Sequence, residues 1–201
     1  DWQTPFEIPE AALSQARLRL GQFNGKHVAV YMSSHVWNSV VSMPHWRPHH
    51  WAELFIQMSQ EGIKPVIVGA GQDSDYASDV AAEIVKLGHN PSKIWVNTIG
   101  RTSLPLAMAY MHTAAVTIGV ANGLPMLPLY TGGNAIIFWP TRGLCSTKAT
   151  FCKEFERNWL NPKIRDSGRY KALVVGQLTV DIFMEHIRGY TRDISVTTSG
   201  L

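Results

Sequence analysis

Cysteine, charge and long apolar segments are all scarce in this sequence, and each scarcity excludes a class of protein. The only two cysteines, Cys145 and Cys152, provide neither a disulfide framework nor the spacing of a zinc site. Charged residues make up 16% of the 201 residues and the net charge is +3. This composition lacks the dense basic patches of nucleic-acid-binding proteins but suits a small anionic ligand. No run approaches the roughly 18 apolar residues that a membrane span requires, so no transmembrane segment is expected.

Two nucleotide-binding signatures are also missing. The segment after the first predicted strand reads Ser33-Ser34-His35 rather than G-x-G-x-x-G, which disfavours a nicotinamide or flavin dinucleotide site. The P-loop signature G-x-x-x-x-G-K-[ST] does not occur either, so phosphoryl transfer of the P-loop kind is not expected.

Short apolar strands alternate with helical segments along the chain. This alternation is typical of a parallel sheet that is covered by helices on both faces. The predicted fold class is therefore α/β, a doubly wound, Rossmann-like parallel sheet of about six strands. Strands are predicted at 26–32, 65–68, 94–96, 116–118, 135–139 and 170–175, and helices at 10–20, 48 to the glycine at 62, 76–87, 104–112, briefly after 123, and 180–188.

One domain accounts for most of the chain. Residues 21–190 are expected to form it, preceded by a proline-containing linker and a first helix within 1–20 and followed by a loose polar tail over 191–201. Residues 141–169 lack a clear hydrophobic period and are predicted to be irregular, with one helix near 153–159. The chain begins at Asp1 rather than at Met, which suggests a piece of a longer protein.

The segment Val116–Met126, which reads V-T-I-G-V-A-N-G-L-P-M, is the strongest candidate for a binding site. A β-branched strand stops at a glycine, and Pro125 suits the first turn of a following helix. Ligands of parallel sheets bind beyond the carboxyl ends of the strands, and a helix start favours negative charge. We therefore expect the backbone N–H groups of Asn122, Gly123 and Leu124 to face an anion. An ordinary strand-to-helix turn is the alternative.

Four short motifs follow one another along the chain. They are Ser33-Ser34 with Trp46-Arg47-Pro48, then Val68-Gly69-Ala70-Gly71-Gln72-Asp73, then Gly100-Arg101-Thr102-Ser103-Leu104, and finally Gly119-Val120-Ala121-Asn122-Gly123-Leu124-Pro125-Met126. In this order they resemble the carboxyl-terminal, donor-binding domain of heptosyltransferase-like glycosyltransferases, family nine of the two-domain GT-B fold. The resemblance covers roughly residues 26–140 well, and the final strand and helix loosely. It rests on the ordered set rather than on any single motif.

The motifs depart from the family pattern at charged positions. The acid of the family's Gly-Asn-Asp-Ser-Gly-Pro-Met-His run is replaced by Ala121 or Asn122, and its histidine by Leu127. The basic residue of the Lys-Arg-Trp-Pro element is displaced, with His45 or Arg47 available instead. ADP-heptose is therefore not assumed to be the donor.

The resemblance implies the nucleotide-sugar-binding domain of an inverting glycosyltransferase, with a nucleotide-diphosphate sugar as donor substrate and no cofactor. In that family the catalytic base belongs to an amino-terminal acceptor domain, so no catalytic residue is predicted here and the isolated chain is expected to be inactive. The acceptor would be a saccharide or a lipid-linked saccharide, and the location cytoplasmic, with peripheral contact to the inner membrane as an option. Two other functions stay open: a standalone interaction module that has lost donor chemistry, and a sugar-nucleotide epimerase domain.

The resemblance also suggests five donor contacts outside the helix start. Ser33 and Ser34 would hydrogen-bond a phosphate, and Arg47 would neutralise the diphosphate as a bidentate donor. Trp95 and Asn97, at the end of the third strand, would hold the base. The alternatives are a polar loop, a solvated surface arginine and core packing of the indole.

No metal site is predicted. His45 and His49 are four residues apart, but Glu53 is the only nearby residue that suits a third ligand. The resembled family needs no metal in this domain.

Overall fold

A wholly parallel six-stranded sheet, in the order β3-β2-β1-β4-β5-β6, lies at the centre of the computed structural model. The structure describes residues 6–32, 46–139, 156–157, 160–174 and 178–197. The predicted doubly wound α/β fold is thereby confirmed. The strands are β1 (His27–Tyr31), β2 (Lys64–Ile67), β3 (Val96–Asn97), β4 (Val116–Val120), β5 (Ala135–Trp139) and β6 (Tyr170–Val174).

Helices cover both faces of the sheet. They are α1 (Glu10–Leu20), α2 (Pro48–Gln60), α3 (Ser74–Lys86), α4 (Pro91–Ile94), α5 (Leu104–His112), α6 (Gly123–Thr131), α7 (Pro162–Arg165) and α8 (Val180–Thr197). The buried side chains of α2, α3 and α8 form one core with the sheet, and those of α1 and α5 form another. A smaller core joins α6 and α7 to β5. Within the described residues, no helix combines the length and apolar character needed to cross a bilayer.

Three of the four inner strands of the sheet are buried along their whole length. Every residue of β1, β4 and β5 is buried, as expected where helices cover both faces of a parallel sheet. This explains why these segments read as continuous β-branched and aromatic runs rather than as alternating patterns. Their burial makes the sheet a rigid base for whatever lies at its carboxyl edge.

The direction of winding reverses between β1 and β4. These strands are neighbours, with Val28 beside Val116 and Tyr31 beside Gly119. The chain builds β2 and β3 on one side of β1, then returns to place β4, β5 and β6 on the other. Such a reversal opens a crevice at the carboxyl ends of the two central strands, because their connections leave to opposite faces.

The predicted third strand is wrong at its start. Ile94 belongs to α4, and the strand begins only at Val96. The side chain of Asn90 accepts a hydrogen bond from the Ser92 amide at 3.0 Å, and Pro91 follows it in the first turn. An amide cap followed by proline is a typical helix start, and this local preference outweighs the β-branched character of Ile94.

The last helix is longer than predicted. It was expected to end at Arg188, with a loose tail from 191, but α8 continues through Gly189 to Thr197. A single glycine in a helix costs only about 1 kcal/mol relative to alanine, which packing of the preceding turns can offset. The buried residues Phe183, Met184 and Ile187 supply that packing.

Helix α1 belongs to the core of the domain. Its residues Ala12, Ala16 and Leu20 are buried and pack with α5, although the expected domain boundary at 21 left this helix outside. Most of the irregular segment predicted at 141–169 lies outside the described residues. Of the helix expected near 153–159, residues 156 and 157 are helical.

Candidate functional site

The start of α6 lies at the reversal of the sheet. Asn122 occupies the N-cap position in extended conformation, and its side chain makes no capping hydrogen bond. Gly123, the first residue of the helix, is exposed. The first N–H groups of a helix have no partner within it, and Pro125 brings none. The backbone N–H groups of Gly123 and Leu124 therefore point out of a helix end at the carboxyl edge of the sheet, an arrangement that attracts anions.

Gly119 allows α6 to lie directly on β4. A β-carbon at Gly119 would come within 2.6 Å of the Pro125 β-carbon, which is shorter than real β-carbon contacts, and within 3.1 Å of the Tyr31 β-carbon, which is tighter than most. Pro125 and Tyr31 therefore occupy the space that a side chain at position 119 would need. This close approach places the helix start immediately above the ends of β1 and β4.

Tyr31, the last residue of β1, lies under the helix start. The residue is 5% exposed, and its hydroxyl oxygen accepts a hydrogen bond from the side-chain nitrogen Nδ2 of Asn122 at 3.5 Å. Burial, with the negative charge of Asp73 as the second cause, raises the pKa of Tyr31 to about 12. The phenol is therefore protonated at neutral pH and keeps a proton to donate.

Asp73 stabilises the turn after β2. Its carboxylate is buried and accepts a hydrogen bond from the Ala70 amide at 2.8 Å, and it crowds Gly69, where a β-carbon would meet it at 2.7 Å. Asp73 also occupies the N-cap position of α3, where its side chain makes no capping hydrogen bond. The carboxylate thus holds the second motif in shape.

Arg47 is exposed at the N-cap position of α2, and helices that follow a parallel strand begin at the carboxyl edge. Its amide donates a hydrogen bond to the His50 ring at 3.1 Å. No ion pair to the Arg47 side chain occurs among the described residues. The position suits a charge partner for an anion, while Ser33, Ser34 and His45 lie outside the described residues.

The two residues predicted to hold a base have different surroundings. Asn97 ends β3, is half-buried and accepts a hydrogen bond from the Ile99 amide at 3.0 Å, which leaves its side-chain amino group to donate elsewhere. Trp95 precedes β3 and is 6% exposed, with its ring 5.6 Å from that of Phe55. Its ring packs in the core, and its predicted contact with a base stays a prediction.

An aromatic cluster supports the edge on the opposite face of the sheet. Trp46 packs against Trp51, Phe138 and Phe183, with ring centroids 5.1–5.5 Å apart. The Tyr76 hydroxyl donates to the Trp46 carbonyl at 2.8 Å. These contacts fix the start of α2 and hence the position of Arg47. In the part of the chain that the structure describes, no group of three or more metal-ligating side chains occurs.

The sequence analysis did not predict that Tyr31 belongs to the candidate site, nor why position 119 is a glycine. Tyr31 was part of a predicted buried strand, and nothing in one sequence shows that its hydroxyl reaches the N-cap of a helix 91 residues away. The available signal was a polar-tipped aromatic residue at the carboxyl end of the first strand, where ligands of such folds bind.

The fold can be compared with those of solved structures. The domain is Rossmann-like, and solved glycosyltransferases of the heptosyltransferase group share its fold. One is ADP-heptose lipopolysaccharide heptosyltransferase II of E. coli, 14% identical with a TM-score of 0.63, where the match covers 95% of this chain and 54% of that one. Another is a family 9 glycosyl transferase from Veillonella parvula DSM 2008, 13% identical with a TM-score of 0.62, covering 94% and 54%.

A third similar structure is E. coli heptosyltransferase WaaC with ADP-2-deoxy-2-fluoro heptose, 14% identical with a TM-score of 0.54, covering 88% of this chain and 47% of that one. The chain thus spans about half the length of the solved structures it matches. At these identities the likeness shows the fold. No protein-family profile and no curated protein matches the sequence.

Proposed function

We propose that this chain is the nucleotide-sugar-binding domain of a glycosyltransferase of the GT-B kind. One observation carries the proposal: the start of α6, with Asn122, Gly123 and Leu124, lies at the reversal between β1 and β4. In open parallel sheets this is where ligands bind. The similar folds are those of glycosyltransferases, one of them determined with a nucleotide-sugar analogue.

The ligand group proposed for this helix start is a diphosphate. The positive end of a helix favours an anion by about 0.3–1 kcal/mol, and direct N–H hydrogen bonds add to that. Arg47, exposed at the start of α2, would supply a full positive charge. Ser33 and Ser34 would add hydroxyl donors, and Asn97 would bind the base through its side chain.

The proposed reaction is transfer of a sugar to a hydroxyl with inversion. The acceptor oxygen forms a bond to the anomeric carbon as the bond from that carbon to the diphosphate breaks. The acceptor proton goes to a base, and the diphosphate leaves with an added negative charge. This domain would stabilise that charge electrostatically, while the base and the acceptor, a saccharide or lipid-linked saccharide, would belong to a second domain.

The proposal is tested by thermal unfolding of the chain with ADP, UDP, GDP and CDP and their sugars at millimolar concentration. A ligand present at 100 times its dissociation constant adds about 2.7 kcal/mol of stability, which raises the melting temperature by several degrees. We expect a rise with one base and none in Gly123→Val, whose side chain would obstruct the helix start. Gly71→Ala is the control, since a β-carbon there meets no atom within 4 Å.

Absence of a shift with every nucleotide would contradict the donor-binding role and favour a standalone interaction module. Conversion of an added nucleotide sugar to its epimer would indicate the epimerase instead. An unchanged shift in Gly123→Val would place the nucleotide elsewhere in the chain.

A further inference from the structure

Among the described residues, no group accepts the proton of the Tyr31 hydroxyl at the start of α6. The side-chain amide nitrogen of Asn122 lies 3.5 Å from the hydroxyl oxygen, and because it is a donor it contacts the oxygen and not the proton. Tyr31 is only 5% exposed, and a buried donor without an acceptor costs about 1–3 kcal/mol.

Packing alone does not account for this hydroxyl. Phenylalanine would fill the same space over Gly119 without burying an unpaired donor. Two contacts fix the tyrosine. Tyr31 is paired with Gly119 in the sheet register, and Pro125 packs over Gly119 next to Tyr31. A rigid ring with its polar tip directed at the helix N-cap is typical of a binding group that is held in place before its ligand arrives.

The groups around this tip select the chemistry of the ligand. The backbone N–H groups of Gly123 and Leu124 are donors, as is the Tyr31 hydroxyl. The nearby carboxylate of Asp73 is buried and directed at the Ala70 amide. A ligand group that only accepts hydrogen bonds therefore fits this corner, and a sugar hydroxyl, which must also donate, fits it less well.

We propose that the Tyr31 hydroxyl donates a hydrogen bond to a non-bridging phosphate oxygen of the bound nucleotide, beside the N–H groups of Gly123 and Leu124. This inference rests on the proposed function, because it assigns a further binding residue to the same site. It makes Tyr31 a residue that recognises the phosphate and not the base. The helix start supplies the neighbouring donors, and the tyrosine fixes where the phosphate oxygen lies between the helix and β1.

The test measures the affinity of Tyr31→Phe by titration calorimetry. The probes are the nucleoside diphosphate that stabilises the unaltered chain, inorganic pyrophosphate, and the matching nucleoside, which has no phosphate. Loss of one hydrogen bond to a charged group predicts diphosphate and pyrophosphate binding about 10- to 100-fold weaker, with nucleoside binding unchanged. Without ligand, Tyr31→Phe is expected to melt no lower than the unaltered chain, because it removes a buried unpaired donor.

Tyr110→Phe is the matched control. Tyr110 is also a buried tyrosine, but its carbonyl accepts from His27 near the amino end of β1, away from the helix start. This variant should bind all three probes as the unaltered chain does.

Three outcomes would overturn the inference. If Tyr31→Phe binds the diphosphate as tightly as the unaltered chain, the hydroxyl does not contact phosphate, and the proposed function stands. If it loses nucleoside and diphosphate binding to the same extent, the tyrosine acts through packing. If the unaltered chain binds no probe, the inference and the proposed function fail together.

Discussion

The ring of His27 is held between two backbone carbonyls, with Nε2 at 2.8 Å from the Tyr110 oxygen and Nδ1 at 3.2 Å from the Phe23 oxygen. A neutral imidazole has one N–H and can donate to only one of them, whereas the charged ring can donate to both. Burial nevertheless lowers the pKa of His27 and outweighs the two carbonyls, which favour the charged form. The contact between β1 and the end of α5 therefore depends on pH.

This geometry predicts a loss of stability in mild acid. Because the pKa of His27 is lower in the folded chain than the ordinary 6.5, the unfolded chain binds the proton more readily. The contribution of neutral His27 is complete above about pH 6.5 and is lost as the pH falls through that value towards the lower folded pKa. Urea unfolding at pH 7.5 and 5.5 should show a smaller loss for His27→Gln than for the unaltered chain. An equal loss in both would show that another group is responsible, and exposed His49→Gln is the control.

Alanine at two glycines should change stability in opposite directions. Gly119→Ala puts a methyl group against Pro125 and Tyr31, and overpacking of this kind costs about 1–3 kcal/mol. Gly189→Ala, within α8, meets no atom within 4 Å and should stabilise the helix by up to about 1 kcal/mol. Denaturant unfolding of both variants checks the pair. Gly119→Ala should also weaken nucleotide binding, and a variant as stable as the unaltered chain would show that α6 is free to shift.

Trp51→Ala should destabilise the domain severely. The residue is fully buried, and its ring packs against Trp46, Phe55 and Phe138, so its removal leaves a large cavity that costs about 3–5 kcal/mol. Leu18→Ala, at a position 83% exposed on α1, should change the free energy of unfolding by less than about 0.5 kcal/mol. Similar melting temperatures for the two variants would contradict the aromatic core described above.

The ion pair between Arg188 and Glu61 joins α8 to α2. The guanidinium contacts both carboxylate oxygens, one of them at 3.0 Å from Nε, and both side chains are about one-third exposed. Arg188→Ala should cost about 0.2–1 kcal/mol, less at high salt. Arg165→Ala, which removes the more exposed pair with Asp166, should have no measurable effect. Chemical unfolding at 50 mM and about 1 M salt separates the two, since only the Arg188 effect should shrink.

Much of the fold could be predicted because the hydrophobic periodicity agrees with the glycine, proline and capping residues that mark the ends of helices and strands along most of the chain. The strand at 135–139 matches β5 residue for residue, and the helix at 10–20 matches α1. The segment Val116–Met126 was correctly placed as a strand, a turn and a helix start. The strand, however, was expected to stop at Gly119 and instead continues through it to Val120. The prediction that Ile94 begins a strand was wrong, because the helix cap at Asn90 outweighs the strand propensity of Ile94.

The geometry of the candidate site could be predicted only where its residues are neighbours in the sequence. Asn122, Gly123 and Leu124 lie together at one helix start, as expected. The hydroxyl of Tyr31 could not be placed beside them, because its position depends on the register between β1 and β4 and on the space that Gly119 leaves. The burial of Trp95 against Phe55 could not be predicted either, because it depends on how α4 directs the chain into β3.

The pairing of β1 with β4 also constrains how the protein folds during synthesis. Val28 lies beside Val116, so the two strands that form the middle of the sheet are separated by about 90 residues, and contacts so distant in sequence close slowly. On a ribosome that adds about 5–20 residues per second, β1 would wait several seconds before its partner is made. During that interval β1 has only β2 to pair with, and its other edge, along with the buried faces of α1 and α2, is open to other chains. The same strand order that creates the crevice thus makes the emerging chain depend on its own later half for protection from aggregation.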